Sequence, residues 1–222
     1  MNFYSHNCSD HSIAIGTVSG VLRARPDVGI IWVDAHADIN TPQSSGSGNL
    51  HGMCVSFAMG HIDLAPLPQF AWLAELHKQR VLRPYRIVYV GLRDLDDGEK
   101  VRLRTLGVKA FSMQHVDKYG IGKIMEMALD HLNGGAGRAT APIHLSLDID
   151  SVDPAFAPGT GTKVRGGLTD REACYICESV AETQLLGSMD CVEVNPSLAP
   201  GDSLTAGLAV NLIGAALGDT IL

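Results

Sequence analysis

The chain has 222 residues, of which 45% are hydrophobic and 18% charged, with a net charge of −7. This suits a globular domain with a sizeable core and argues against a disordered chain. No apolar run approaches the roughly 18 residues of a spanning helix, and no basic cluster offers a footprint for nucleic acid, so neither membrane nor nucleic acid is an expected partner.

The elements follow in chain order. Ser12 to Leu22 has helical spacing and stops at Pro26-Asp27. Val28 to Val33 is a continuous run of β-formers, the pattern of a strand buried on both faces. Thr41 to Gly52 is rich in Ser and Gly and reads as a loop, and Met53 to Met59 as a helix. Arg86 to Leu92 is a second buried strand, Gly98 to Leu106 a charged helix, Val108 to Ser112 a short strand and Ile121 to Leu132 a helix closed by Asn133-Gly-Gly. Ile143 to Leu147 is the next buried strand, followed by a Gly- and Pro-rich loop from Pro154 to Gly167. Thr169 caps a helix from Asp170 to about Thr183, with Glu172 as its capping-box partner. Ser188 to Val194 is a strand, and Asp202-Ser-Leu opens a last helix to about Ala216. Strands alternating with helices predict a single α/β domain over 1–222, three layers with a mostly parallel sheet.

Five cysteines, Cys8, Cys54, Cys174, Cys177 and Cys191, make an odd count. With no positively charged start leading into an apolar stretch, the expectation is reduced thiols and a cytoplasmic, non-secreted chain. Cys174 and Cys177 fall inside a helical pattern with no second pair, so they read as helix-face residues.

In a parallel α/β sheet, ligands gather beyond the carboxyl ends of the strands. Asp34-Ala-His36-Ala-Asp38 leaves one strand end and Ser146-Leu-Asp148-Ile-Asp150 another, while Asp96 and Glu193 follow two more. Residues spaced by two on a strand share a face, so each segment can aim its groups into one site. Four carboxylates and an imidazole brought together repel one another unless a cation lies between them. The set exceeds what one tetrahedral zinc uses and suits two cations bridged by carboxylates. Oxygen and imidazole donors without a thiolate favour Mn²⁺, Fe²⁺ or Co²⁺. Asp153-Pro154, by contrast, reads as a turn.

Val33-Asp-Ala-His-Ala-Asp38, Ser146-Leu-Asp-Ile-Asp150 with Pro154, Pro158-Gly159 and Gly167, and Asp10-His11 resemble the motifs of the ureohydrolases, the family of arginase and agmatinase. The resemblance runs from about Asp10 to Leu222. It implies a two-manganese site, with one ion on His11, Asp34, Asp38 and Asp148 and the other on Asp34, His36, Asp148 and Asp150. It also implies a homo-oligomer, a trimer or hexamer. Asp38-Ile-Asn40-Thr and Ser47-Gly-Asn49-Leu-His51-Gly look more like arginases, whose substrate L-arginine has an α-carboxylate for the neutral donors Asn40, Ser47 and Asn49. Asp96 falls where arginases hold the α-amino group. The loop Pro158-Gly159-Thr-Gly-Thr162 looks more like agmatinase, and Thr162 joins the expected substrate contacts. By the same resemblance Glu193 is aimed at the guanidinium, Asp38 passes a proton to the leaving amine, and His51 shuttles protons, a role suited to an imidazole. The products implied are urea and ornithine; agmatinase or another guanidino hydrolase is the alternative.

The chain departs from the family at its start. The family's Gly-Gly-Asp-His is here Cys8-Ser9-Asp10-His11, and side chains hinder dihedrals that glycine allows, which puts the placement of His11 at risk. Family members also have strand and helix units before this point, so an N-terminally incomplete domain with open sheet edges is expected. A reading of another class follows: a truncated or inactive homologue that acts as a non-catalytic binding subunit.

Overall fold

A computed structural model describes residues 5–7, 10–79, 81–134, 141–199 and 203–219. Six strands form one parallel sheet: β1 (Ser5–Asn7), β2 (Gly29–Val33), β3 (Ile87–Leu92), β4 (Lys109–Ser112), β5 (Ile143–Asp148) and β6 (Leu186–Val192), in the order β1-β6-β5-β2-β3-β4. The helices are α1 (Ala14–Ala24), α2 (Cys54–Ala58), α3 (Ala71–Gln79), α4 (Asp97–Leu106), α5 (Met113–Leu132), α6 (Asp170–Glu182) and α7 (Leu204–Ala216). The expected three-layer α/β/α architecture is observed.

Strands β2, β3 and β5 are buried throughout, which explains their unbroken apolar sequence. Alternate side chains serve two cores. Ile31, Val33, Leu145 and Leu147 pack with α5, α6 and α7, whereas Ile30, Trp32 and Tyr89 pack with α1, α2 and α3. Thr169 and Glu172 form the expected capping box of α6, the Thr169 amide donating to Glu172 Oε2 at 2.8 Å. Gly107, at φ 65°, ends α4 in the left-handed region that glycine adopts without cost.

Three differences stand out. The helix expected from Ile121 begins at Met113, and Gly120 (φ 73°, ψ 152°) breaks it into two pieces, so its apolar period restarts where the sequence suggested a beginning. Helix α3 buries only Leu73 and leaves little periodic signal. The three-residue β1 pairs with Met189–Cys191 and partly covers the sheet edge expected to be open. Cys8, Ser9 and Asp202, to which expectations were attached, lie outside the described residues. Cys54, Cys174 and Cys177 are free thiols, with Cys177 buried on α6 and Cys174 half-buried beside it.

Because the strands are parallel and adjacent, their carboxyl ends open on one side. Val33 lies opposite Leu147, and Asp148 opposite Val192, so Asp34, Asp148 and Glu193 emerge as neighbours. His11 follows β1, which runs parallel to β6, and reaches the same rim.

Candidate metal centre

Asp34 leaves β2 fully buried and divides its oxygens. Oδ2 accepts the Trp32 indole N–H at 3.0 Å and lies 3.2 Å from His11 Nδ1. Oδ1 accepts the His36 amide at 2.7 Å and lies 3.3 Å from His36 Nδ1. One carboxylate therefore faces two groups, His11–Asp34–Asp38 and Asp34–His36–Asp150, in each of which the ligand atoms lie within 4.8 Å of one another.

His11 is buried, with its ring stacked on Trp32 at 4.3 Å between centroids. Its Nε2 is 2.9 Å from Ser146 Oγ, while Nδ1 is 3.2 Å from Asp38 Oδ2 and 3.1 Å from Asp148 Oδ2 as well as facing Asp34. With Nε2–H donated to Ser146, the Nδ1 lone pair faces three carboxylates, an arrangement stable only around a proton or a metal ion. His11 thus stands within reach of all three acids, while Cys8 and Ser9, on which the expected risk to it rested, lie outside the described residues. Asp10 has ordinary extended dihedrals (φ −58°, ψ 141°) and its Oδ1 accepts the Ser12 amide at 2.9 Å, capping the short 3₁₀ turn that carries His11.

His36 Nδ1 is 3.2 Å from Asp150 Oδ2, and its buried Nε2 has no hydrogen bond, the nearest carboxylate being Asp94 at 3.8 Å. Asp148 Oδ1 accepts the Asp150 amide at 2.8 Å, leaving Oδ2 for His11. Arg93 donates to the carbonyls of Asp150 at 2.6 Å, Val164 at 2.7 Å and Ser151 at 3.1 Å, holding the exit of β5 against the Pro154–Gly167 loop.

The charge balance points the same way. Burial alone would lower both imidazoles, but the facing carboxylates win: His11 is held well above the usual imidazole range and His36 is pushed up to about 12. Burial and then the Asp34 charge raise Asp38 to about 6, and burial with neighbouring carboxylates raises Asp148 and Asp150. Asp34 moves the other way, because its contacts with His11 and His36 outweigh burial. A buried site that protonates its imidazoles and resists ionising its acids has the donor set of a cation site.

The cleft above these groups is lined by His11, His36, Asp38, Asn40, Ser45, Ser47, His51, Gly52, Asp96, Glu99, Asp148, Asp150, Thr162 and Glu193. Of the expected substrate contacts, Asn49 is not among them; it is exposed, and its amide donates to Ser47 Oγ at 3.2 Å. Asn40 and Asp96 bind each other, Nδ2 to Oδ2 at 2.9 Å, and Ser44 Oγ donates to Asn40 Oδ1 at 2.8 Å. Glu193 Oε1 accepts the His11 amide at 2.7 Å. Asp38 (φ 50°) and Glu193 (φ 62°) both sit in the left-handed region, a strain that such side chains bear where the surroundings fix them.

Several groups were not anticipated. Ser146 sits inside the quoted Ser146–Asp150 motif, yet its hydroxyl had no assigned partner. Trp32 reads as an ordinary core residue. Glu99 falls within the charged helix expected over Gly98 to Leu106, but it is buried and accepts the amides of Ile39 at 3.2 Å and Asp96 at 3.1 Å, tying together the two loops that line the cleft. Asp153 is the turn residue expected, accepting the amides of Ala155, Gly166 and Gly167.

Residues 9–218 match the arginase family model. The chain belongs to the arginase family. It is 54% identical over 217 residues to the arginase of Glaciozyma antarctica, an alignment covering 96% of this chain and 61% of that protein. It is 50% identical to an arginase of Schizosaccharomyces pombe, covering 96% and 64%. Among solved structures, the arginase from Bacillus caldovelox superposes with a TM-score of 0.89 at 39% identity, covering 100% of this chain and 70% of that one. The cold-adapted arginase of G. antarctica gives 0.81 at 49% identity, covering 98% and 70%. The chain thus spans a little under two thirds of the length of these curated relatives.

Proposed function

We propose that this chain forms the hydrolytic centre of an arginase: with two Mn²⁺ bound, it cleaves the guanidino group of L-arginine to give L-ornithine and urea. The reading rests above all on Asp34, whose two oxygens face His11 on one side and His36 on the other. His11, Asp34, Asp38 and Asp148 would hold one ion, and Asp34, His36, Asp148 and Asp150 the other. When bound, the pair of cations makes a water acidic enough to supply a nucleophile at neutral pH.

The remaining steps belong to the side chains. Glu193, steered by the His11 amide, accepts guanidinium N–H groups and turns the carbon toward the nucleophile. As the new C–O bond forms and the bond from carbon to the side-chain nitrogen breaks, Asp38 carries a proton from the nucleophile to the departing amine. His51, on the rim, exchanges protons with solvent. Asn40 and Ser47 donate to the α-carboxylate, Asp96 accepts from the α-amino group, and Thr162 closes the wall. The arginase relatives at 50–54% identity support the choice of substrate.

The test is a metal count and urea release on L-arginine and on agmatine after loading with Mn²⁺. Urea from arginine in preference to agmatine is expected. Preference for agmatine, the substrate suggested by the Pro158–Thr162 loop, favours the second reading. Manganese bound without urea from either favours the non-catalytic subunit. No manganese and no urea refutes the proposal.

A further inference from the structure

Asp10, His51 and Glu193 form a second cluster of donors at the mouth of the cleft, separate from the side chains assigned to the two ions. Their ligand atoms lie within 4.8 Å of one another and come from three segments distant in sequence. Two of the three are already oriented: Asp10 by the Ser12 amide on Oδ1, and Glu193 by the His11 amide on Oε1. Each keeps a second carboxylate oxygen, and Asp10 Oδ2 lies 3.5 Å from His51 Nδ1. His51 and Asp10 are 39% and 59% exposed at the side chain, so an ion and its water can reach them from solvent.

One imidazole and two carboxylates, with positions left open to water, are the ligand set of a three-coordinate protein site for a borderline divalent cation such as Zn²⁺; magnesium and calcium prefer all-oxygen shells. We infer that Asp10, His51 and Glu193 form a third, inhibitory cation site that takes Zn²⁺ while both manganese ions stay in place. Occupied, it withdraws His51 from proton exchange and Glu193 from the guanidinium. The inhibition rests on the function proposed above, whereas binding itself does not.

The experiment titrates Zn²⁺ into the manganese-loaded protein, counting both metals after removal of free ions and following urea release in parallel. One additional Zn²⁺ per chain with manganese retained is expected, and urea release falling in step with that uptake. Asp10→Asn keeps an oxygen for the Ser12 amide, so it should leave basal activity within about twofold while weakening Zn²⁺ binding and inhibition roughly tenfold or more. Manganese content checks that this variant folds. His51→Gln, read for Zn²⁺ uptake alone, provides a second route. Zinc uptake matched by manganese release, no additional equivalent, or unchanged affinity in both variants would overturn the site. If the manganese-loaded protein makes no urea, the functional reading fails while the zinc counts still decide this one.

Discussion

Trp32 and His11 lie face to face, their rings 4.3 Å apart at the centroids and inclined by 11°. The same indole donates to Asp34 Oδ2 at 3.0 Å, so a core residue orients one imidazole and one carboxylate of the candidate metal centre. Trp32→Phe keeps the stacking partner but removes the donor to a buried carboxylate. Loss of such a bond costs about 2 kcal/mol. The expected result is a lower melting temperature and manganese affinity reduced by about tenfold. Thermal melts with and without Mn²⁺ measure both; equal affinity in the variant would show that the indole only packs.

His11→Asn removes the imidazole shared by Asp34, Asp38 and Asp148. The metal content of the purified protein should fall from about two manganese ions per chain to about one, since His36 and Asp150 hold the other group independently. Elemental analysis after removal of free ions reads this directly. Retention of both ions would exclude His11 as a ligand.

Protons and metal ions compete for the two histidines. With His36 raised to about 12 and His11 also raised, the metal-free protein binds protons here more tightly than the unfolded chain does. That contribution to stability is complete below the unfolded histidine value, about 6.5, and is lost as pH rises toward the folded values. The raised Asp38, at about 6, acts in the same direction, its contribution being lost from about pH 4 upward. Metal binding must expel these protons, so manganese affinity should rise with pH. Calorimetry in two buffers of different ionisation enthalpy should detect proton release, and the manganese-induced increase in melting temperature should be larger at about pH 8.5 than at about pH 6.5. An affinity independent of pH would contradict the protonated resting state.

Glu99 joins the Ile39 and Asp96 amides and so sets the spacing of the two loops that line the cleft. Glu99→Ala leaves both donors without their acceptor at a cost of about 1–3 kcal/mol each, partly offset by water. The expected kinetic signature is KM for L-arginine up by roughly tenfold with kcat changed by less than about threefold, because the proposed metal ligands do not depend on the clamp. Steady-state kinetics on the manganese-loaded protein decide it, and an equal loss in kcat would place Glu99 closer to the chemistry.

Gly167 has no room for a methyl group. A Cβ there would stand 2.6 Å from the Asp153 amide nitrogen, 2.7 Å from Arg93 Nη2 and 2.8 Å from the Val152 carbonyl carbon. Gly167→Ala should therefore cost about 2 kcal/mol and loosen the Arg93 contacts that hold the β5 exit. Denaturant unfolding measures the loss. A variant as stable as the parent would mean that this loop shifts at no cost.

The legibility of the chain followed its physics. β2, β3 and β5 were evident because central parallel strands are covered on both faces and read as unbroken apolar runs. β1 was not, since three polar residues have no period, and α3 was missed because it buries a single leucine. The acids of the site were evident from their spacing at strand ends. Ser146, Trp32 and Glu99 were not, because each contributes through a contact with a residue far away in sequence, to His11, His11 and Ile39 respectively.

The sequence by itself determined the α/β class, the strand ends that carry the site and the identity of the donors. These follow from local patterns of burial and charge. Only the tertiary structure decided which donors share a centre: that Asp34 faces both His11 and His36, that Asn40 binds Asp96 while Asn49 stays outside the cleft, and that His11 stacks on Trp32 among three acids. Those relations depend on parallel strand register and on contacts across more than a hundred residues of chain, where distances of a few ångströms separate a shared ligand from a merely nearby one.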